Sequence, residues 1–236
     1  NANSIYTVGF RNGQITELDL QCRTLRRIEA PKQLNQCRSL TFGPDDTLYA
    51  PQTRSDTVVG GGMFDRSVFP VVATLLPDAK DVSLGFFPDL LVVPPHRPCE
   101  VAVDTSTLYL ASAGSDDVLA IDLATKFPKW HAVHVGQEPG GIVLDRSREL
   151  LYVLTLTGQE IVTLISRTGQ VQSRLRFAHD TTPSQIARGR YLFGNASDPR
   201  LSKDQWMSCA SCHPDGDVDG RQWDFEKWSS YRDGGK

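Results

Sequence analysis

The sequence predicts a mainly β protein made of repeated antiparallel units and followed by a short helical segment, and three observations carry that expectation. Tyr residues recur at near-constant spacing inside short runs of alternating apolar and polar residues. Those runs are split by Gly, Asp, Asn and Ser, the residues that close tight turns. Near Thr181 to Ser184 the alternation stops, a helix-like pattern begins, and a close pair of cysteines follows.

The repeat comes first along the chain. Ile5-Tyr6-Thr7-Val8 precedes Gln14 to Asp19, and Thr47-Leu48-Tyr49-Ala50 precedes Asp56 to Val59. Thr107-Leu108-Tyr109-Leu110 precedes Asp117 to Asp122, and Leu150-Leu151-Tyr152-Val153 precedes Glu160 to Leu164. Tyr6 and Tyr49 lie 43 residues apart, as do Tyr109 and Tyr152, while 60 residues separate Tyr49 from Tyr109. The longer interval places an insertion near Gly60-Gly61-Gly62 or in the Pro-rich run from Pro88 to Pro98. A phrase from Pro98 to Asp104 recurs from Pro139 to Asp145, each time just ahead of the Tyr strand.

A period near 43 residues suits one four-stranded propeller blade, so residues 1–181 are expected to form β-propeller blades. A β-sandwich is the alternative, but sandwiches lack a fixed repeat. The pattern resembles the bacterial surface-layer-type β-propellers, whose blades carry a Tyr-Val-Thr-Asn-like strand, although that tetrapeptide does not occur intact. Four units are few for a closed ring, so part of a larger ring is expected.

The second expected unit covers residues 182–236. Pro183 and Ser184 read as a helix start, with Ile186, Ala187, Tyr191 and Leu192 able to share one face despite Gly189. Downstream stands Cys209-Ala210-Ser211-Cys212-His213. In a Cys-x-x-Cys-His segment the two sulfurs form thioethers to porphyrin vinyl groups and the His offers a nitrogen to iron, so one covalent haem c is expected on Cys209, Cys212 and His213. A zinc knuckle would need a second Cys/His pair downstream, and a thioredoxin-like redox pair would need a βαβ setting.

Arg188 to Phe193, Ser208 to Gly216 and Asp219 to Trp223 together resemble the di-haem cytochrome c peroxidase and MauG-like family, particularly members with a propeller ahead of the cytochrome part. The resemblance implies a small α-helical cytochrome c domain and a second haem that handles peroxide or a substrate radical. Only one haem motif is present, so no catalytic residue carries over, and a second haem would lie beyond Lys236 or on a partner chain. The 54 residues from Pro183 to Lys236 also fall short of the usual later helices of such a domain.

A Met or second His on the far side of the iron would favour electron transfer. Residues 214–236 contain neither, and Met207 is tethered beside Cys209. Met63, His96, His131, His134 and His179 remain, or a residue outside this chain, with His179 the leading candidate because it directly precedes the haem segment. Asp215, Asp217, Asp219, Gly220 and Glu226 match the fixed positions of a twelve-residue calcium loop, which makes calcium a second candidate ligand. An acidic solvated turn is the plainer alternative, because the entering helix is missing. Trp206, Trp223, Phe225 and Trp228 are read as walls around the haem.

Composition narrows the partners. With 25 Lys+Arg against 28 Asp+Glu the net charge is −3, and no basic block tracks phosphates, so nucleic acid is not expected. No apolar run approaches the roughly 20 residues of a membrane-spanning helix. Covalent haem attachment implies export to a periplasmic or extracellular setting, where Cys22 and Cys37 could pair and Cys99 would be left over. The expected function is therefore electron transfer, with a redox protein or another haem subunit as partner. A peroxidase-type oxidoreductase and a propeller scaffold or adhesion protein are the alternatives.

Overall fold

The computed structural model describes residues 3–57, 68–86, 95–178, 181–202, 205 and 207–223. Strands β1 (Ser4–Val8), β2 (Ile15–Asp19) and β3 (Thr24–Ile28) form a first antiparallel sheet. The second contains β4 (Leu34–Asn35), β5 (Thr41–Phe42), β6 (Leu48–Ser55), β7 (Val68–Leu75) and β8 (Ser83–Phe86), with β4 and β5 both paired to β6. The third is a four-stranded meander of β9 (Pro98–Val103), β10 (Thr107–Ser112), β11 (Asp117–Asp122) and β12 (Pro128–Ala132). The fourth repeats it with β13 (Pro139–Asp145), β14 (Leu150–Thr155), β15 (Glu160–Ile165) and β16 (Val171–Arg176).

The Tyr spacing marks a structural repeat. Tyr6, Tyr49, Tyr109 and Tyr152 face Glu17, Thr74, Ala120 and Thr163 on the next strand of their own sheets. On the other side Tyr49, Tyr109 and Tyr152 face Thr41, Ala102 and Val143 of the preceding strand. The turns share one chemistry as well. Asp19, Asp104, Asp122 and Asp145 each accept backbone N–H groups two to four residues on, which satisfies the turn amides and closes the hairpins at one end of the sheets.

The core lies between successive sheets. Ile15, Ile28, Leu34, Leu48, Val71 and Leu75 fill the space between the first and second sheets. Val72, Val101, Leu108, Leu110 and Leu119 fill the next, and Ala111, Val118, Leu151, Val153, Val162 and Leu164 the third. Side chains alternate across a strand, so the third sheet is buried on both faces and β10 is buried from end to end. Each fully buried Leu in these layers contributes about 1.5–3 kcal/mol. The fourth sheet has one covered face: Val143 and Leu175 are 64% and 63% exposed.

Cys22 and Cys37 are not joined. Cys22 sits exposed in the β2–β3 turn, whereas Cys37 is buried near the β1–β2 turn, so the length of β2 separates them. Cys37 donates to the Ser39 carbonyl, and the buried Cys99 thiol reaches the carbonyls of Ala111 and Pro139. Burial pushes both thiols up to about 12.

Beyond the sheets, α1 (Ser184–Gly194) is the one α-helix among the described residues, and it starts where Pro183 and Ser184 place it. Two short 3-10 turns follow, Cys209–Ser211 and Pro214–Gly216. No helix among the described residues is long and apolar enough to cross a membrane.

Candidate functional site

The Asp-closed turns mark one end of the sheets, and the segment after Ser184 lies across the other. That end is made of successive loops: the β1–β2 turn, residues 36–38, residues 96–97, the β10–β11 turn and residues 137–138. Backbone bonds tie neighbours together, from Gln36 N to Phe10 O at 2.6 Å and from Gly114 N to His96 O at 2.8 Å. Gln36, Arg97 and Glu138 all take positive φ, 56°, 52° and 59°; Gln36 turns the chain out of β4, and Arg97 and Glu138 turn it into β9 and β13.

Helix α1 is anchored there by Asp116. This carboxylate, 5% exposed, accepts the Tyr191 hydroxyl, the Asn195 amide at 2.9 Å and the Glu138 N–H at 2.8 Å. Burial raises the Asp116 pKa, and burial together with Asp116 raises that of Tyr191. Ala196 N donates to Gly114 O at 2.7 Å, and the Arg97 guanidinium reaches Gly194 O at 3.3 Å. A Cβ at Gly194 would overlap that guanidinium, so glycine is the residue that lets Arg97 in.

The Cys-x-x-Cys-His segment is a tight turn with two sides. Ser208 and Ser211 cap one another: each hydroxyl oxygen accepts the other residue's N–H, while Cys212 N and His213 N both point to Cys209 O. Ala210 and Ser211 are 2% and 1% exposed and face the sheets, whereas Cys209 and His213 are exposed and Cys212 is half-buried. Two buried side chains hold the inner side. His96 Nε2 lies 2.9 Å from Ser208 Oγ and 3.4 Å from Ser211 Oγ, and Gln36 Nε2 donates to Ser211 O at 2.8 Å.

His213 Nδ1 lies 3.1 Å from the Asp217 carbonyl oxygen. A carbonyl only accepts, so Nδ1 carries a proton, and in the neutral ring the lone pair then lies on Nε2. Burial pushes the Cys212 thiol up to about 11, which opposes the reactive thiolate of a redox-exchange pair.

The stretch after His213 is pinned as well. Asp215 pairs with Arg38 at 2.7 Å, and Asp217 pairs with Arg11 at 2.9 Å. Asp219, 6% exposed, accepts the Arg221 N–H at 2.9 Å and the Trp223 indole N–H at 3.0 Å. Arg221 donates to Lys32 O and Leu34 O, each at 3.0 Å, and burial lowers its pKa. Turned to satisfy its neighbours, the Asn35 amide accepts Arg221 Nε at 2.7 Å. The three candidate calcium carboxylates thus face separate partners that an ion would have to displace, and Glu226 lies outside the described residues. Among the described residues no three His, Cys, Asp or Glu side chains are grouped to hold a metal ion.

The other distal candidates are scattered. His131 Nε2 pairs with the buried Asp117 at 2.9 Å, His134 is exposed after β12, and His96 is engaged by the two serines. His179, Met63, Trp206, Phe225 and Trp228 lie outside the described residues. A cavity of about 350 Å³ opens between α1 and the turn, bounded by Arg97, Arg190, Phe193 and Ala210. Larger clefts of about 630 and 510 Å³ lie between sheets at the Asp-turn end and contain none of the candidate residues. Sequence reasoning missed Gln36, Asp116 and Arg221, because their partners lie 75 to 187 residues away.

No family model matches the chain, and no curated protein matches it. Solved structures of similar fold include hydrazine synthase of Kuenenia stuttgartiensis, with a TM-score of 0.53 and 15% identity over 75% of this chain and 55% of that one. A protein of unknown function from Bacteroides caccae gives 0.54 at 13% identity, over 75% and 58%. A functionally unknown protein from Desulfotomaculum acetoxidans gives 0.54 at 10%, over 75% and 54%. This chain spans little more than half the length of those it matches, and at these identities the likeness shows the fold alone.

Proposed function

We propose that this chain is an exported c-type cytochrome segment carried on β-propeller blades, and that it transfers electrons through one haem bound at Cys209, Cys212 and His213. The observation that carries the reading is the orientation of the turn: Ala210 and Ser211 are spent on the sheets, which leaves Cys209 and the His213 imidazole on the free side with Cys212 half-buried. The hydrogen bond from His213 Nδ1 to the Asp217 carbonyl fits a proximal ligand, since such a partner fixes the tautomer and makes Nε2 the donor to iron. Bound haem supplies a one-electron iron couple. The chain's own part is to hold both sulfurs for thioether bonds, present Nε2, and fix the whole turn against a rigid β support.

The propeller reading rests on the 43-residue repeat, the matching strand for each Tyr, and the stacking of successive antiparallel sheets. Export follows from the chemistry of covalent attachment, and the redox partner is a protein that can approach the exposed Cys209 and His213 side.

Expression in a host with a c-type maturation system, followed by a pyridine haemochrome spectrum of the denatured chain, tests the reading. One haem per chain that survives acid–acetone extraction is expected. A chain that remains colourless, or one that loses all its haem to extraction, overturns it.

A further inference from the structure

We propose that His96, with Gln36 beside it, is the positioning residue for the attachment turn: loops of the second and third sheets hold the inner side of Cys209–His213, which fixes where the two thiols and the imidazole stand relative to one another. The inference rests on the haem reading for its consequence and on the contacts alone for its existence.

Both side chains are 4% exposed and come from loops at equivalent places ahead of β5 and β9. Each serine hydroxyl oxygen already accepts an amide N–H, so its own proton is free to donate. His96 Nε2 is therefore the acceptor, first of the Ser208 O–H at 2.9 Å and more weakly of the Ser211 O–H at 3.4 Å. A neutral ring is required for this, and burial together with the Arg97 charge keeps it neutral, with a pKa near 3. The ring packs on Gly114, where a Cβ would overlap its Cδ2, and the His96 backbone N–H donates to Ser115 Oγ at 2.8 Å, which fixes the loop that carries the ring.

Gln36 completes the grip by donating to Ser211 O. The turn is thereby held at a hydroxyl and a carbonyl of residues that cannot bind haem, and its orientation is set by the sheets.

His96→Leu and His96→Gln, made in the full chain, test this. Leu keeps the bulk and loses the nitrogen, whereas the Gln carbonyl reaches the place of Nε2 and accepts the same O–H. In chain expressed without haem maturation, His96→Leu should speed amide exchange at Ser211 and His213 by about tenfold or more, the effect of losing one buried hydrogen bond. His96→Gln should restore it. In matured chain, His96→Leu should lower covalent haem content and shift the midpoint potential, and Gln should return both towards wild type. Unchanged exchange in His96→Leu, or equal loss in Leu and Gln, overturns the assignment. A wild type that takes up no haem while the exchange difference persists would overturn the haem reading and leave the positioning role standing.

Discussion

The imidazole of His96 meets the hydroxyl of Ser208 at 2.9 Å across 112 residues of sequence, and this contact ties the third sheet to the turn that carries Cys209 and Cys212. Its neutrality gives the contact a pH dependence. Burial holds the folded pKa near 3, against 6.5 for a free imidazole, so between those values the unfolded chain binds more protons than the folded one. Stability should therefore be full above pH about 6.5 and fall as the pH drops below it, by about 1.4 kcal/mol per unit. Urea unfolding of wild type and His96→Gln at pH 7, 5.5 and 4.5 isolates the effect. The stability of wild type relative to His96→Gln should fall steadily with acid, and a constant difference would show that His96 does not titrate across folding.

Gly114→Ala should act on the same contact from below. The added methyl would overlap the His96 ring and lie 2.9 Å from the His96 carbonyl oxygen, so ring or backbone must move. Overpacking of this kind costs about 1–3 kcal/mol. Denaturant unfolding measures the loss, and proteolysis between residues 196 and 208 should become faster. A variant as stable as wild type would show that the loop has slack.

Asp116→Ala should release helix α1. The substitution leaves the Tyr191 hydroxyl, the Asn195 amide and the Glu138 N–H without their shared acceptor, and each buried donor left unmade costs about 1–3 kcal/mol before relaxation. Hydrogen exchange across residues 184–194 should rise well above that in β10 and β14. Equal protection of the helix in both proteins would mean that the other α1 contacts suffice.

The cysteines should divide sharply in their effect on haem. Cys209→Ser with Cys212→Ser should abolish extraction-resistant haem, and His213→Ala should change the spectrum through loss of the proximal ligand. Cys22→Ser should leave both haem content and thermal stability at wild-type values, because that thiol is exposed and unbridged. A drop in melting temperature on reduction of wild type would contradict the unbridged state.

What the sequence determined by itself was local and periodic. The Tyr spacing named the repeated strand, the Asp residues named the hairpin turns, and Pro183-Ser184 named the start of α1. These features are legible because alternation, turn propensity and motif spacing act within a few residues. The separation of Cys22 from Cys37 was not legible, since a fifteen-residue spacing says nothing about which ends of a strand two thiols occupy. Nor was the role of His96, which reads in sequence as one of several histidines that could meet a metal. Only the packing of a later segment across the sheet ends brings His96 to Ser208, Asp116 to Tyr191 and Arg221 to the Leu34 carbonyl. Such contacts follow from where the buried faces force the sheets to stack, and so the tertiary structure decided which side of the motif is held and which is left free for chemistry.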